Sequence, residues 1–228
     1  MDFDFTVPTG STYPTQRDVV TALREFIVVR GAPPGTVFPV TVLAERFGVS
    51  PIPVREALKT LVGEGLLTHV PHRGYLVERL RWEDFVDRSR VLALLEQEAA
   101  RTAMTAADDA DRAALAALFD QLTEAHAVRD PQRYREAGVG FHSALVSATR
   151  RRGLIATFFQ VARSLSAYAQ VGSDAVEPLE RTYRDQAAIW RAFSDGDTEG
   201  LIEALAAYAE TRIAVVEPFR DDPAYFGD

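Results

Sequence analysis

Apolar residues fall into helical periods along nearly the whole of this 228-residue chain. Val19, Val20, Leu23, Phe26 and Ile27 keep the spacing of one helical face, and "RGAPPG" at 30–35 stops that helix with glycine and two prolines. A short second helix can hold Leu43, Ala44 and Phe47 on one side before Gly48. Ser50 suits the N-cap of a third helix, and Pro51 fits its first position because that N–H would go unpaired anyway. Val54, Ala57, Leu58, Leu61 and Val62 then form its buried face as far as Gly65. Here the period changes to two: "LLTHV" and "YLVE" predict short strands around the turn "PHRG". From Trp82 onward the helical pattern returns over 82–105, 108–128, 131–149, 152–171, 176–195 and 197–217. The breaks fall at "TAADDAD", "RDP", "RRG", the stretch from Gly172 to Pro178, and "SDGD". The expected fold is mainly α. An N-terminal winged helix-turn-helix with a small β-hairpin wing precedes an all-α bundle of about six helices.

Composition narrows what such a chain can do. At 228 residues with 47% hydrophobic content, two domains with separate cores are expected. There is no cysteine, which excludes disulfides, thiol catalysis and cysteine-based zinc sites. The acidic start "MDFDFTVPTGSTYP" resembles no signal peptide, and no run of about 18 apolar residues occurs. A cytoplasmic protein without a membrane partner is expected. With four histidines, no HExxH, no G-x-S-x-G and no P-loop, the chain is not expected to be an enzyme.

The net charge of −8 is unevenly spread. Residues 1–80 hold eight basic and eight acidic residues, while the other 148 hold 17 and 25. A neutral first part on an acidic second part suggests two jobs and leaves nucleic acid open to the first. Arg55 and Lys59 lie four residues apart on the polar face of the third helix, so they are neighbours there. Such a helix can enter a major groove while Arg73, at the hairpin tip, reaches the backbone or a neighbouring groove. His72 is as easily an ordinary turn residue as a phosphate contact, and Thr68 and His69 build the wing. The run Arg150, Arg151, Arg152 is a helix C-terminus capped at Gly153.

Residues 33–77, "PPGTVF…LAERFGVSPIPVREALKTLVGEGLLTHVPHRGYLV", closely resemble the winged-helix domain of GntR-type bacterial transcription regulators. The bundle resembles the ligand-sensing FCD domain of the FadR subfamily through "LLEQEAARTA" (94–103), "FHSALVSAT" (141–149) and "AAIWRAFSDGDTEG" (187–200). The resemblance implies a one-component repressor, a homodimer that binds double-stranded operator DNA under control of a small organic effector. It implies a tail at 1–13, the DNA-binding domain at 14–80, the effector-binding and dimerisation domain at 81–220, and a second tail at 221–228. Ser50, Arg55, Lys59, Arg73 and Gly74 are the DNA-binding residues expected from it.

Where family members read DNA with Ser-Arg-Thr-Pro, this chain has Ser50-Pro51-Ile52-Pro53. The four metal-ligand positions of metal-binding members fall on Gly138, His142, Gln186 and Tyr208, and an arginine used on carboxylates falls on Leu92. One ligand of four survives, so no metal and no other cofactor is expected. The expected effector is neutral or largely apolar, held by His142, Gln186 and Tyr208 with Leu92 in the wall. A ligand-binding dimer whose winged helix has lost DNA reading and serves protein contacts is the alternative.

Overall fold

The computed structural model describes residues 14–28, 31–169, 171 and 176–227; the expected tail at 1–13 lies outside them. Helix α1 (Gln16–Val28), strand β1 (Val37–Phe38), α2 (Val40–Phe47), α3 (Pro51–Gly63) and strands β2 (Thr68–Val70) and β3 (Gly74–Leu76) form the N-terminal part. Gly48, at φ +65°, turns the chain out of α2 through a backbone conformation that favours glycine. Val54, Ala57, Leu58 and Leu61 are buried along α3, with Val62 half-buried beside them. At about 1.5–3 kcal/mol for each fully buried branched side chain, this face holds the helix down.

The wing is a three-stranded antiparallel sheet in the order β1-β3-β2, not a bare hairpin. Thr68 pairs with Leu76 and Val70 with Gly74, while Val37 and Phe38 pair with Leu76 and Tyr75 on the other side of β3. Strand β1 escapes a periodicity reading because two residues between Pro34 and Pro39 span a single alternation, with Phe38 buried and Val37 exposed.

Six α-helices follow among the described residues: α4 (Trp82–Ala106), α5 (Asp109–Ala127), α6 (Pro131–Ser147), α7 (Arg152–Leu165), α8 (Val176–Asp195) and α9 (Thr198–Val216). Acidic N-caps start three of them. Asp108 and Asp111 form a capping box on α5, Asp130 accepts from the Arg133 N–H, and Asp197 from the Gly200 N–H. The expected cap at Gly153 is not there, because Gly153 lies inside α7. The left-handed residue between α6 and α7 is Arg150, at φ +55°, whose guanidinium reaches Asp108 at 2.7 Å and Asp111 at 2.8 Å. A side chain anchored to the start of α5 thus does what a glycine was expected to do.

Two hydrophobic clusters form, but the boundary between them does not fall at residue 80. One lies in the far end of the bundle, around Phe141, Leu145, Ile189 and Phe193. The other fills the N-terminal part and continues through Leu80 into Phe85, Phe158, Tyr168 and Val216. The C-terminal segment joins this second cluster. Phe226 is buried against Trp82, Phe85 and Tyr168, and the Gly227 N–H donates to the Leu80 carbonyl at 3.0 Å. The Tyr168 hydroxyl closes the joint, accepting from the Leu80 N–H at 2.7 Å and donating to the Tyr225 carbonyl at 3.1 Å. Residues 221–227 are therefore docked rather than trailing. Among the described residues no helix is long and apolar enough to cross a membrane.

Candidate functional site: a reading face and a buried cavity

The polar side of α3 and the tip of the wing carry the expected cations. Arg55 is exposed, with no acidic partner among the described residues. Lys59 is exposed but engaged, its ammonium 2.8 Å from Glu56 Oε1 one turn earlier. Arg73 stands exposed in the turn after β2, where His72 at φ +63° and Gly74 at φ +85° bend the chain back. Gly74 is paired with Val70 across the hairpin, so its part is conformational.

Ser50 occupies the N-cap position, yet its side chain makes no capping hydrogen bond. The sequence accounts for part of this. An N-cap hydroxyl accepts from the N–H of the second or third helical residue; the third here is Pro53, which has none, so only the Ile52 N–H remains. The start of α3 therefore presents an uncommitted hydroxyl and, beside it, Ile52 at 69% exposure.

Inside the molecule lies a cavity of about 510 Å³, within the range of small-molecule sites. Leu92, Phe85, Val139, Phe158 and Leu165 make much of its wall apolar. The four positions set apart by sequence do converge at its inner end, carried there by α6, α8 and α9. Gln186 Nε2 lies 3.0 Å from His142 Nε2, and the His142 and Tyr208 rings stack at 4.9 Å and 18°. A Cβ on Gly138 would stand 3.5 Å from the Gln186 amide nitrogen.

Two charged residues complete this end. Glu96, on α4 and 1% exposed, brings Oε1 to 2.6 Å from His142 Nδ1, a short contact not aligned as a hydrogen bond. Burial pulls the Glu96 carboxyl upward, but His142 and then Arg212 outweigh it and hold it below the usual carboxylate value. His142 thus presents Nε2 to the Gln186 amide and Nδ1 to the Glu96 carboxylate. Arg212, one turn beyond Tyr208 on α9, holds its guanidinium carbon 5.5 Å from that ring. It supplies a cation where Leu92 was read as leaving none. Glu96 Oε2, Gln186 Oε1 and Arg212 Nε are buried without a hydrogen-bond partner among the described residues. Burial also pushes the Tyr208 hydroxyl above its ordinary pKa. Among the described residues no group of three His, Asp or Glu could hold a metal ion.

The outer end of the cavity leaves the bundle. Thr21, Arg24, Glu25 and Val28 of α1 line it, opposite Phe159 and Arg163 of α7. Arg24 is also the partner of Glu64, which caps the C-terminus of α3: Nη2 lies 2.6 Å from Oε1 and Nε donates to Oε2 at 2.9 Å. Sequence reasoning passed over Arg24 and Arg212, and took Glu96 only as a family match beside Leu92, without a role in the site. For two of them a signal existed, since Glu96 follows Leu92 and Arg212 follows Tyr208 by one helical turn.

Residues 15–77 match the gntR family of bacterial regulatory proteins, and residues 87–211 match the FCD domain. The HTH-type transcriptional regulator BphR of Paraburkholderia xenovorans is 27% identical over 187 residues, 78% of this chain and 75% of that protein. A protein of Paenarthrobacter nicotinovorans, named "Probable D-xylose utilization operon transcriptional repressor", is 27% identical over 204 residues, 85% of this chain and 88% of its own. Among solved structures, E. coli McbR/YncC superposes with a TM-score of 0.79 at 23% identity, over 89% of this chain and 97% of that one.

Proposed function

The chain belongs to the GntR family of bacterial transcription regulators and carries an FCD domain, and on that ground we propose that it is a cytoplasmic one-component repressor whose operator binding is set by a small organic effector. The carrying observation is the shared wall of the cavity. A ligand held against His142, Gln186 and Tyr208 in the bundle fills a space that α1 of the DNA-binding part also encloses. Arg24 on that wall grips Glu64 at the end of the reading helix, so a shift of α1 is passed to α3 through one bidentate ion pair.

The effector is neutral or largely apolar. Glu96 and Arg212 offset each other's charge at the inner end, and the unpartnered Glu96 Oε2 and Gln186 Oε1 ask for a hydrogen-bond donor there. The site works without a metal, because Gly138 offers no ligand atom, Gln186 only a neutral amide, and Tyr208 resists ionisation. Near-stoichiometric zinc, nickel or manganese in protein purified without chelator, lost on His142→Ala, would overturn this.

A homodimer is expected, since one reading helix touches few bases and two-fold proteins match palindromic half-sites. Val91 and Leu94, exposed on the outside of α4, are apolar surface that a second copy would cover. Light scattering should give twice the 25.2 kDa of one chain.

The deciding experiment is selection of duplexes from a random-sequence pool, followed by titration at several salt concentrations. Tight binding that weakens steeply with salt supports operator reading through phosphate contacts. No enrichment, with binding flat in salt, would favour a winged helix given over to protein contacts. The prolines at 51 and 53 and the engaged Lys59 are what keep that second reading in view.

A further inference from the structure

Of the large apolar side chains that stand exposed among the described residues, Ile52 is the most so, at 69%. It occupies the second position of α3, the end of the reading helix that meets base edges when a helix-turn-helix enters the major groove. The usual polar means of gripping DNA at a helix start are depleted here. Of the first three helical residues only Ile52 has an N–H, because the other two are Pro51 and Pro53. A helix N-terminus stripped in this way makes a poor phosphate cradle. What remains projecting is a branched hydrocarbon, flanked by the Ser50 hydroxyl and, three residues on, by Arg55. The surrounding surface is charged rather than apolar, with Arg55 and the paired Lys59 and Glu56 on the same helix and Arg73 on the wing, which suits a polyanion better than a hydrophobic protein groove.

An aliphatic side chain in the major groove has one natural complement, the C5-methyl group of thymine. We infer that Ile52 is a specificity-determining residue that reads a thymine methyl in each operator half-site. This rests on the DNA-binding reading above and sharpens it: the polar recognition lost at positions 51 and 52 is replaced by apolar recognition. The proline ring on each side also limits the backbone freedom of the first turn, so the isoleucine is presented with little conformational freedom left to lose on binding.

The test uses the full chain and a duplex enriched by it from a random-sequence pool. Each thymine is replaced singly by deoxyuridine, which removes the methyl group and leaves the hydrogen-bonding edge unchanged. At one position per half-site the wild-type protein should lose about four-fold in affinity, the worth of one buried methyl-sized group. Ile52→Ala should bind the thymine and uridine duplexes equally at that position, and selection with this variant should no longer enrich thymine there. The side chain is exposed, so the variant should keep the wild-type helix content and melting temperature. Uridine substitution without effect at every position, or an unchanged uridine penalty in Ile52→Ala, overturns the assignment while leaving operator binding intact. A pool from which the wild-type protein enriches nothing removes the DNA-binding reading, and this assignment with it.

Discussion

Two contacts of a carboxylate with a basic side chain, nearly equal in length, sit in different parts of this molecule. Lys59 meets Glu56 at 2.8 Å on the reading face, with both side chains about half exposed. His142 meets Glu96 at 2.6 Å in the cavity wall, with the two 9% and 1% exposed. The geometry is alike and the energetics are not. Water and salt screen the first pair, and DNA phosphates can take its lysine at small cost. The second lies in a medium where a charge without a partner is expensive, so neither member can be removed without consequence. On the proposed function, surface recognition is built from exchangeable contacts, and the sensing site from obligatory ones.

The largest effect is expected on the buried side. His142→Ala leaves the Glu96 carboxylate enclosed without its first partner and should cost about 3–5 kcal/mol of unfolding free energy in a urea titration. The same pair carries a pH signature. The folded-state pKa of Glu96 is depressed, so its contribution is present above the ordinary glutamate range and is lost as pH falls through the lower folded value. Acid should therefore destabilise the wild type more steeply than Glu96→Gln; equal slopes would show that the carboxylate is not held ionised.

On the reading face the strongest effect belongs to Arg55. Its replacement by alanine should weaken operator binding by about 1–3 kcal/mol if it grips a guanine edge, with unfolding unchanged. Arg73→Ala should act by salt slope more than by sequence preference. Gly138→Ala probes the boundary between the two regimes. The added methyl meets the Gln186 amide at 3.5 Å and Leu122 at 3.8 Å, both ordinary contacts. The helix should gain up to about 1 kcal/mol, and a loss instead would mean the inner cavity needs that space. The smallest effect is expected from Glu56→Ala, which frees Lys59 and removes a negative charge facing DNA. Operator affinity should rise by less than about 1 kcal/mol, with stability within about 0.5 kcal/mol of wild type.

Much of this architecture was legible because its signals are local. Helix starts at Asp108, Asp130 and Asp197, and the apolar face of α3, need only a few consecutive residues to specify them. Strand β1 was not legible, since its two residues acquire meaning only by pairing with β3 some forty positions later. The docking of Phe226 beside Trp82 and the joining of the two domains through Leu80 are likewise long-range events that leave no periodic trace. At the candidate site, the resemblance singled out Gly138, His142, Gln186 and Tyr208, and the folded chain brings all four together. It missed Arg212 because the family's cation was sought on α4, whereas here the guanidinium enters from α9. The weakness of the Ser50 cap was partly open to deduction, since Pro53 removes one of its two possible donors, but an N-cap was judged by its own residue and not by the donors it faces.

The contribution of α1 to the cavity wall has a consequence for what any binding constant of this protein means. A wall shared between two parts cannot transmit in one direction only. By thermodynamic reciprocity, whatever factor the effector imposes on operator affinity, the operator imposes on effector affinity. On the proposed function, DNA is then itself an allosteric ligand of the cavity. A small-molecule affinity measured on the free protein describes only the fraction off its operator, and the concentration at which a gene responds is set by the second constant, measured with the duplex in place.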